Sequence, residues 1–291
     1  MKLSNNHAKI ALVLCPTVIV AVYFIWGFAA YTAYLSFSKS TFLPNHGLIG
    51  LENYRTLFDD IRWWVAYANM FIFGGLYIFG CIIFGILLAI LLDRATKGET
   101  LFRMFYLYPM SLSLVVTGLI WQWVLNPTSG IQHLFRSSGY EDFKFNWIVS
   151  QEYAIYSIVF AAVWHGTGLI MILFLSGIKS TDPEIWKATK IDQIPVWRVY
   201  FNIILPQLRA ILLTAVLLLG FQVVRSFDVV VALTNGGPGY ASDVPARYVF
   251  EYFFERGKIG QGSAAAMMMV TTMFVLILPY LIFELRRKDA C

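Results

Sequence analysis

Residues 181–206 read TDPEIWKATKIDQIPVWRVYFNIILP, a polar and basic stretch between two apolar ones. A turn between two membrane helices needs only a few residues, whereas this segment has room for two short helices. Asp182 suits an N-cap and Pro183 suits the first helical position, so a helix is expected from Pro183 to about Asp192. Ile194 precedes Pro195, which disfavours helix at that residue. A second helix is expected from Pro195 to Ile204, closed by Pro206. Trp186, Ile191, Trp197, Tyr200 and Phe201 supply apolar anchors, while Lys187, Lys190 and Arg198 supply positive charge. Two readings are open on these residues alone. The segment rests on lipid headgroups as an amphipathic interfacial element, or it is a docking surface for a protein outside the membrane.

The rest of the chain supplies the membrane. Of its 291 residues 58% are hydrophobic and 13% charged, with a mean hydropathy of +0.66; soluble domains carry about 25% charge. The net charge of +5 does not point to nucleic acid, because the basic residues sit in short segments beside apolar runs. Three cysteines, two of them (Cys15 and Cys81) inside apolar runs, give no disulfide framework. The N-terminal apolar run is free of charge from residue 10 to residue 38, about twice the length of a signal-peptide core. It is expected to be an uncleaved first span.

Charge-free runs at residues 10–38, 63–92, 104–135, 153–178 and 259–283 each exceed the roughly 20 residues that cross the hydrocarbon core. A sixth, 210–224, is shorter but continues past Arg225 and Asp228 to about Leu233. Backbone groups in lipid must be satisfied within their own segment, so each run is read as helix. The expectation is an all-α, polytopic membrane protein forming a single domain over residues 1–291. Its six spans lie at about 10–37, 66–92, 104–126, 153–178, 210–233 and 261–284, with a long loop at 179–208. The basic residues divide into thirteen on the side of the N-terminus, the 179–208 loop and the C-terminus, and eight on the other. The positive-inside rule places the first set, and both termini, in the cytoplasm.

The spacing within the loop resembles the EAA motif of ABC importer permeases, roughly E-A-A, three residues, G, nine residues, I-x-L-P. This chain has Lys187-Ala188-Thr189, then Gln193, then Ile203-Ile204-Leu205-Pro206. Lys187, Thr189 and Gln193 stand where the pattern has Glu, Ala and Gly. The glycine would ease the bend between the helices; Pro195 is expected to impose it here. Thr234-Asn235-Gly236-Gly237-Pro238, by itself a turn signal, resembles a T-x-G-G-P segment of carbohydrate permeases. Gly50-Leu51-Glu52-Asn53-Tyr54 resembles that group's first external loop. The chain is therefore similar, from its first span to its sixth, to carbohydrate-type ABC importer permeases, including those for sugars and glycerol phosphate.

The resemblance implies the type I importer permease fold in the cell inner membrane. It implies a second homologous permease, two cytoplasmic ATPase subunits and a periplasmic or lipid-anchored solute-binding protein. It also implies that Glu184, Lys187, Ala188, Asp192 and Gln193 couple this chain to the ATPase. No G-x-x-x-x-G-K-[ST] cradle occurs in the chain, so ATP and Mg are expected on the partner subunits, with no cofactor or metal here. No catalytic set is apparent, and the four histidines are scattered at positions 7, 46, 133 and 165.

Ionisable groups within a membrane are costly and mark functional sites. Arg225 and Asp228, three residues apart on one expected helical face, either pair with each other or line a path for a hydroxyl-rich or anionic solute. Gln122, Trp164, His165 and Gln222, with Trp121 and Trp123, have the aromatic faces and amides that suit sugars. Each also has a packing reading, at the interface for Trp and between helices for His. Gly74, Gly75, Gly80 and Gly85, with residues 264–266, are expected at close helix contacts. An ion-coupled secondary transporter is the alternative function. It would show inverted repeats and helices interrupted at mid-membrane, and no internal symmetry is evident in the sequence.

Overall fold

Long apolar runs with few breakers give helices, and the computed structural model is built from them. It describes residues 14–43, 45, 47–94 and 98–288, with side chains as far as residue 278. Lys2, Lys9, the start of the first expected span and Lys97 lie outside the described residues. Among the described residues the one piece of β-pairing is an isolated bridge between Ser38 and Leu48.

The helices, in chain order, are α1 (Leu14–Ser36), α2 (Glu52–Asp59), α3 (Ile61–Asp93), α4 (Glu99–Ser111), α5 (Leu114–Val124), α6 (Ile131–Ser137) and α7 (Ala154–Lys179). After these come α8 (Pro183–Ile191), α9 (Val196–Gln207), α10 (Arg209–Val224), α11 (Phe227–Leu233), α12 (Pro245–Phe250) and α13 (Ile259–Lys288). Four of them, α1, α3, α7 and α13, are long and apolar enough to cross a membrane alone. The count reaches six when the bent pairs α4–α5 and α9–α10 each form one span.

The first bend departs from the straight span expected at 104–126; the second falls just before the span expected at 210–233, which is itself broken between Val224 and Phe227. The first is 98° and follows Pro109, which lacks an amide hydrogen. Leu112 is extended there, and Ser113 restarts the helix by accepting the Val116 amide at 3.2 Å. The second bend, 72°, falls at Leu208, so Pro206 does not close the preceding helix but lies within its last turn.

The chain forms two compact units. One comprises residues 1–61 and 248–271. In it the Gly50–Tyr54 motif has a structural task. Asn53 donates to the carbonyls of Ser36 and Ser38, both at 2.9 Å, and the Tyr54 hydroxyl meets Ser36 Oγ at 2.9 Å. These bonds tie α2 to the end of α1. Asp60 accepts from the phenols of Tyr248 and Tyr252, both at 2.9 Å. Ala264 and Ala265 are fully buried.

The second unit comprises residues 62–247 and 272–291. Here α7 is the central element, packed on α4, α5, α10 and α11. Gly74, Gly80 and Gly85 of α3 lie against Val223, Val163 and Ile170, as expected, whereas Gly75 faces open space. At Gly118 a Cβ would lie 2.5 Å from that of Ala232, so α5 and α11 approach more closely than any larger residue permits.

Candidate functional site

The 179–208 loop folds as helix, turn, helix. Asp182 caps α8 by accepting the Glu184 amide at 2.8 Å, with Pro183 at the helix start. At the other end Ile194 N–H donates to Thr189 O at 3.0 Å and Gln193 N–H to Lys190 O at 3.3 Å. This pair of bonds is a Schellman motif, which needs a left-handed residue between helix and exit. Gln193 occupies it with φ of 50°. The bend is therefore made at Gln193 and not, as the sequence suggested, imposed by Pro195. Pro195 instead caps α9, its carbonyl accepting from Arg198 and Val199.

α8 has two faces. Glu184, Lys187, Ala188, Ile191 and Asp192 are exposed, and so is Gln193. Offsets of three and four residues put Glu184, Lys187, Ala188 and Ile191 on one stripe. Ile185, Trp186 and Thr189 face inward, and Thr189 is buried. On this stripe Ile191 is 79% exposed, and beyond the turn Trp197 is 60% and Phe201 58% exposed.

The loop is held from beneath. Tyr200, 2% exposed, donates its phenol to Asp93 Oδ2 at 2.6 Å, at the end of α3, and packs edge-on against Trp186 with ring centres 5.5 Å apart. Burial and then the bond to Asp93 push the phenol above its usual range, so it remains a donor. Nearby, Glu99 of α4 pairs with Arg103 and, across to α7, with Lys179. The hydrogen bond from Lys179 holds the Glu99 carboxyl below its usual range.

The solute-path candidates separate into three places. Arg225 and Asp228 do not share a helical face, because the helix stops at Val224 and restarts at Phe227. Both are exposed and no ion pair joins them, which corrects the pairing offered by their spacing. Gln222 accepts from the Tyr77 phenol of α3. Trp121 and Trp164 meet edge-on at 5.6 Å, with Phe160 4.8 Å from Trp121. The Trp121 Nε1 is buried and has no hydrogen-bond partner. His165 Nδ1 lies 3.1 Å from Thr117 Oγ1, tying α7 to α5. Gln122 is half-buried and Trp123 is exposed to 71%. A cavity of about 230 Å³ lies elsewhere, lined by Met70, Gly74, Gly75, Gly220, Phe221 and other apolar residues. It offers no side chain that would hold a hydroxyl-rich ligand.

Sequence reasoning missed a cluster at the end of α3 remote from Asp93. Asp243 is fully buried and accepts from Arg62 Nε at 2.7 Å, with Arg247 at 3.5 Å and its neighbour's Val244 N–H at 3.0 Å. Asn69 donates to the carbonyls of Ala241 and Asp243, both at 3.0 Å. Arg62 also lies over the Tyr240 ring, 4.4 Å from its centre. These contacts anchor residues 234–244, whose T-x-G-G-P turn has Asn235 and Gly236 at φ 49° and 78°. No local pattern links Arg62 to Asp243, 181 positions apart.

Residues 81–288 match the family of binding-protein-dependent transport system inner membrane components, and the chain belongs to that family. It is thus a multi-pass membrane component of a transport system. It is 31% identical to a probable ABC transporter permease protein of Pyrococcus horikoshii, over 99% of this chain and 100% of that one. It is 27% identical to the trehalose/maltose transport system permease protein of Thermococcus litoralis, over 98% and 95% of the two chains. The fold matches a solved bacterial ABC transporter involved in import of the polysaccharide alginate, with TM-score 0.86 and 18% identity over 98% of this chain and 99% of that one.

Proposed function

We propose that the chain is the membrane-spanning permease subunit of an ATP-driven importer, carrying a sugar or sugar-derived solute delivered by a binding protein. The observation that carries this reading is the exposed stripe Glu184, Lys187, Ala188 and Ile191, on a helix capped at both ends and held to α3 through Tyr200. A helix lying passively on lipid has no need of that support. Family membership and the trehalose/maltose relative support the solute class.

In this reading two homologous permeases enclose the path, and two ATPase subunits dock on the stripe from the cytoplasm, where both termini lie. This chain performs no catalysis; ATP and Mg are held by the ATPases. ATP binding favours the outward-facing state, a shift that requires a few kcal/mol of differential binding between states. Arg225, exposed at the break in the fifth span, and Gln222, one turn before it, contact the solute's hydroxyl or anionic groups. Uptake into right-side-out or reconstituted vesicles, with ATP inside and the binding protein outside, tests the reading. Dependence on ATP and on a separate ATPase subunit is expected. Uptake that needs no ATP and collapses with an ionophore would establish an ion-coupled carrier instead.

A further inference from the structure

α3 is a helix of 33 residues with no proline and no interruption. Three polar tethers leave it at different heights. At one end Arg62 and Asn69 hold residues 241–243. Midway, Tyr77 donates to Gln222. At the other end Asp93 accepts from Tyr200. All three partners lie in one segment of chain, residues 200–243. That segment is bent by 72° at Leu208 and broken again at Arg225 and Ser226. A strand of helices with two breaks absorbs displacement at each break instead of passing it on. α3 runs beside it without a break and is packed close, since a Cβ on Gly74 would lie 2.8 Å from Val223 Cγ1.

We propose that α3 is a splint that carries displacement of the 183–207 loop to the 234–244 loop, past both breaks. The 31 residue steps from Arg62 to Asp93 span about 46 Å at helical rise. Tyr200 and Asp93 at one end, and Arg62, Asn69 and Asp243 at the other, are then positioning residues for the transport cycle. The 234–244 loop is the face that responds to the solute-binding protein. This inference rests on the proposed docking of an ATPase to α8.

The test uses the whole reconstituted complex of both permeases, ATPase and loaded binding protein. ATP hydrolysis is measured with and without the binding protein. Tyr200→Phe removes only the hydroxyl that reaches Asp93. Asn69→Leu removes only the amide at the far end. Asn69→Leu is expected to keep its basal hydrolysis within about twofold of wild type, and in both variants the fold-stimulation by the binding protein is expected to fall by about fivefold or more, the low end of ordinary coupling energies. The double variant is expected to lose no more than the worse single one, because the tethers act in series. Should Tyr200→Phe fail to assemble, Asn69→Leu carries the same expectation. Wild-type stimulation in an assembled variant would overturn the splint. A wild-type complex without any ATPase bound would instead overturn the docking reading.

Discussion

Replacing Asp243 with Ala is the sharpest structural perturbation available in this chain. The Asp243 carboxylate is fully buried, and its partner Arg62 is 4% exposed in its side chain. Removing one member of a buried pair costs about 3–5 kcal/mol, chiefly because the other charge loses a counterion in a site shut off from water. The Tyr240 ring remains over the Arg62 guanidinium, 4.4 Å from its centre, which favours the lower figure. About 3 kcal/mol of local opening energy corresponds to roughly a hundredfold change in the open population. Hydrogen exchange reads that population directly. The amide of Ser242 bonds to Gly236 O at 3.2 Å and that of Asp243 to Tyr240 O at 3.1 Å, so both report on the loop. In Asp243→Ala, peptides covering residues 236–244 are expected to exchange about a hundredfold faster, with peptides of α7 unchanged. Exchange within threefold of wild type in Asp243→Ala would refute the claim that this pair anchors the loop.

Gln193→Gly places the residue best suited to a left-handed turn at φ 50° and is expected to stabilise the end of α8 by about 1 kcal/mol. The Ile194 amide would then exchange several-fold more slowly; faster exchange would contradict the turn assignment. Arg225→Ala, at unchanged expression, is expected to lower uptake at least tenfold, and normal uptake would remove Arg225 from the path. Glu99 has a folded pKa below its unfolded value of about 4.3. Its contribution is therefore present above that value and lost as pH falls through the lowered one. Protection of the Glu99–Arg103 turn, taken relative to the intrinsic exchange rate at each pH, is expected to fall only below about pH 4 and to show no such step in Glu99→Gln; a fall beginning near neutrality would contradict the assignment.

Much of the fold was legible because hydropathy acts through long runs. The positions of α3, α7 and α13 follow from charge-free stretches, and the start of α8 from Asp182-Pro183. The bend after Pro109 and the break at Arg225 and Ser226 were not read, although Pro109 and Ser113 signal the first. A proline in a run of apolar residues is compatible with a kinked or a straight span, and packing decides which. The Arg225 and Asp228 spacing misled, because three-residue spacing implies a shared face only where the helix is continuous. Gln193 was recognised as replacing glycine, but the turn kept its geometry without glycine's freedom. Arg62, Asn69 and Asp243 carried no local signal, as their contact is made only when distant elements pack.

In the proposed importer the exposed face of α8 meets an ATPase and not the lipid headgroups that the sequence alone allowed. A photo-crosslinking residue in place of Ile191, the 79% exposed position on that face, tests this in membranes containing the whole transport system. An adduct with the mass of the ATPase subunit is expected, abolished when that subunit is omitted. Adducts with lipid alone, unchanged by the ATPase, would contradict this docking.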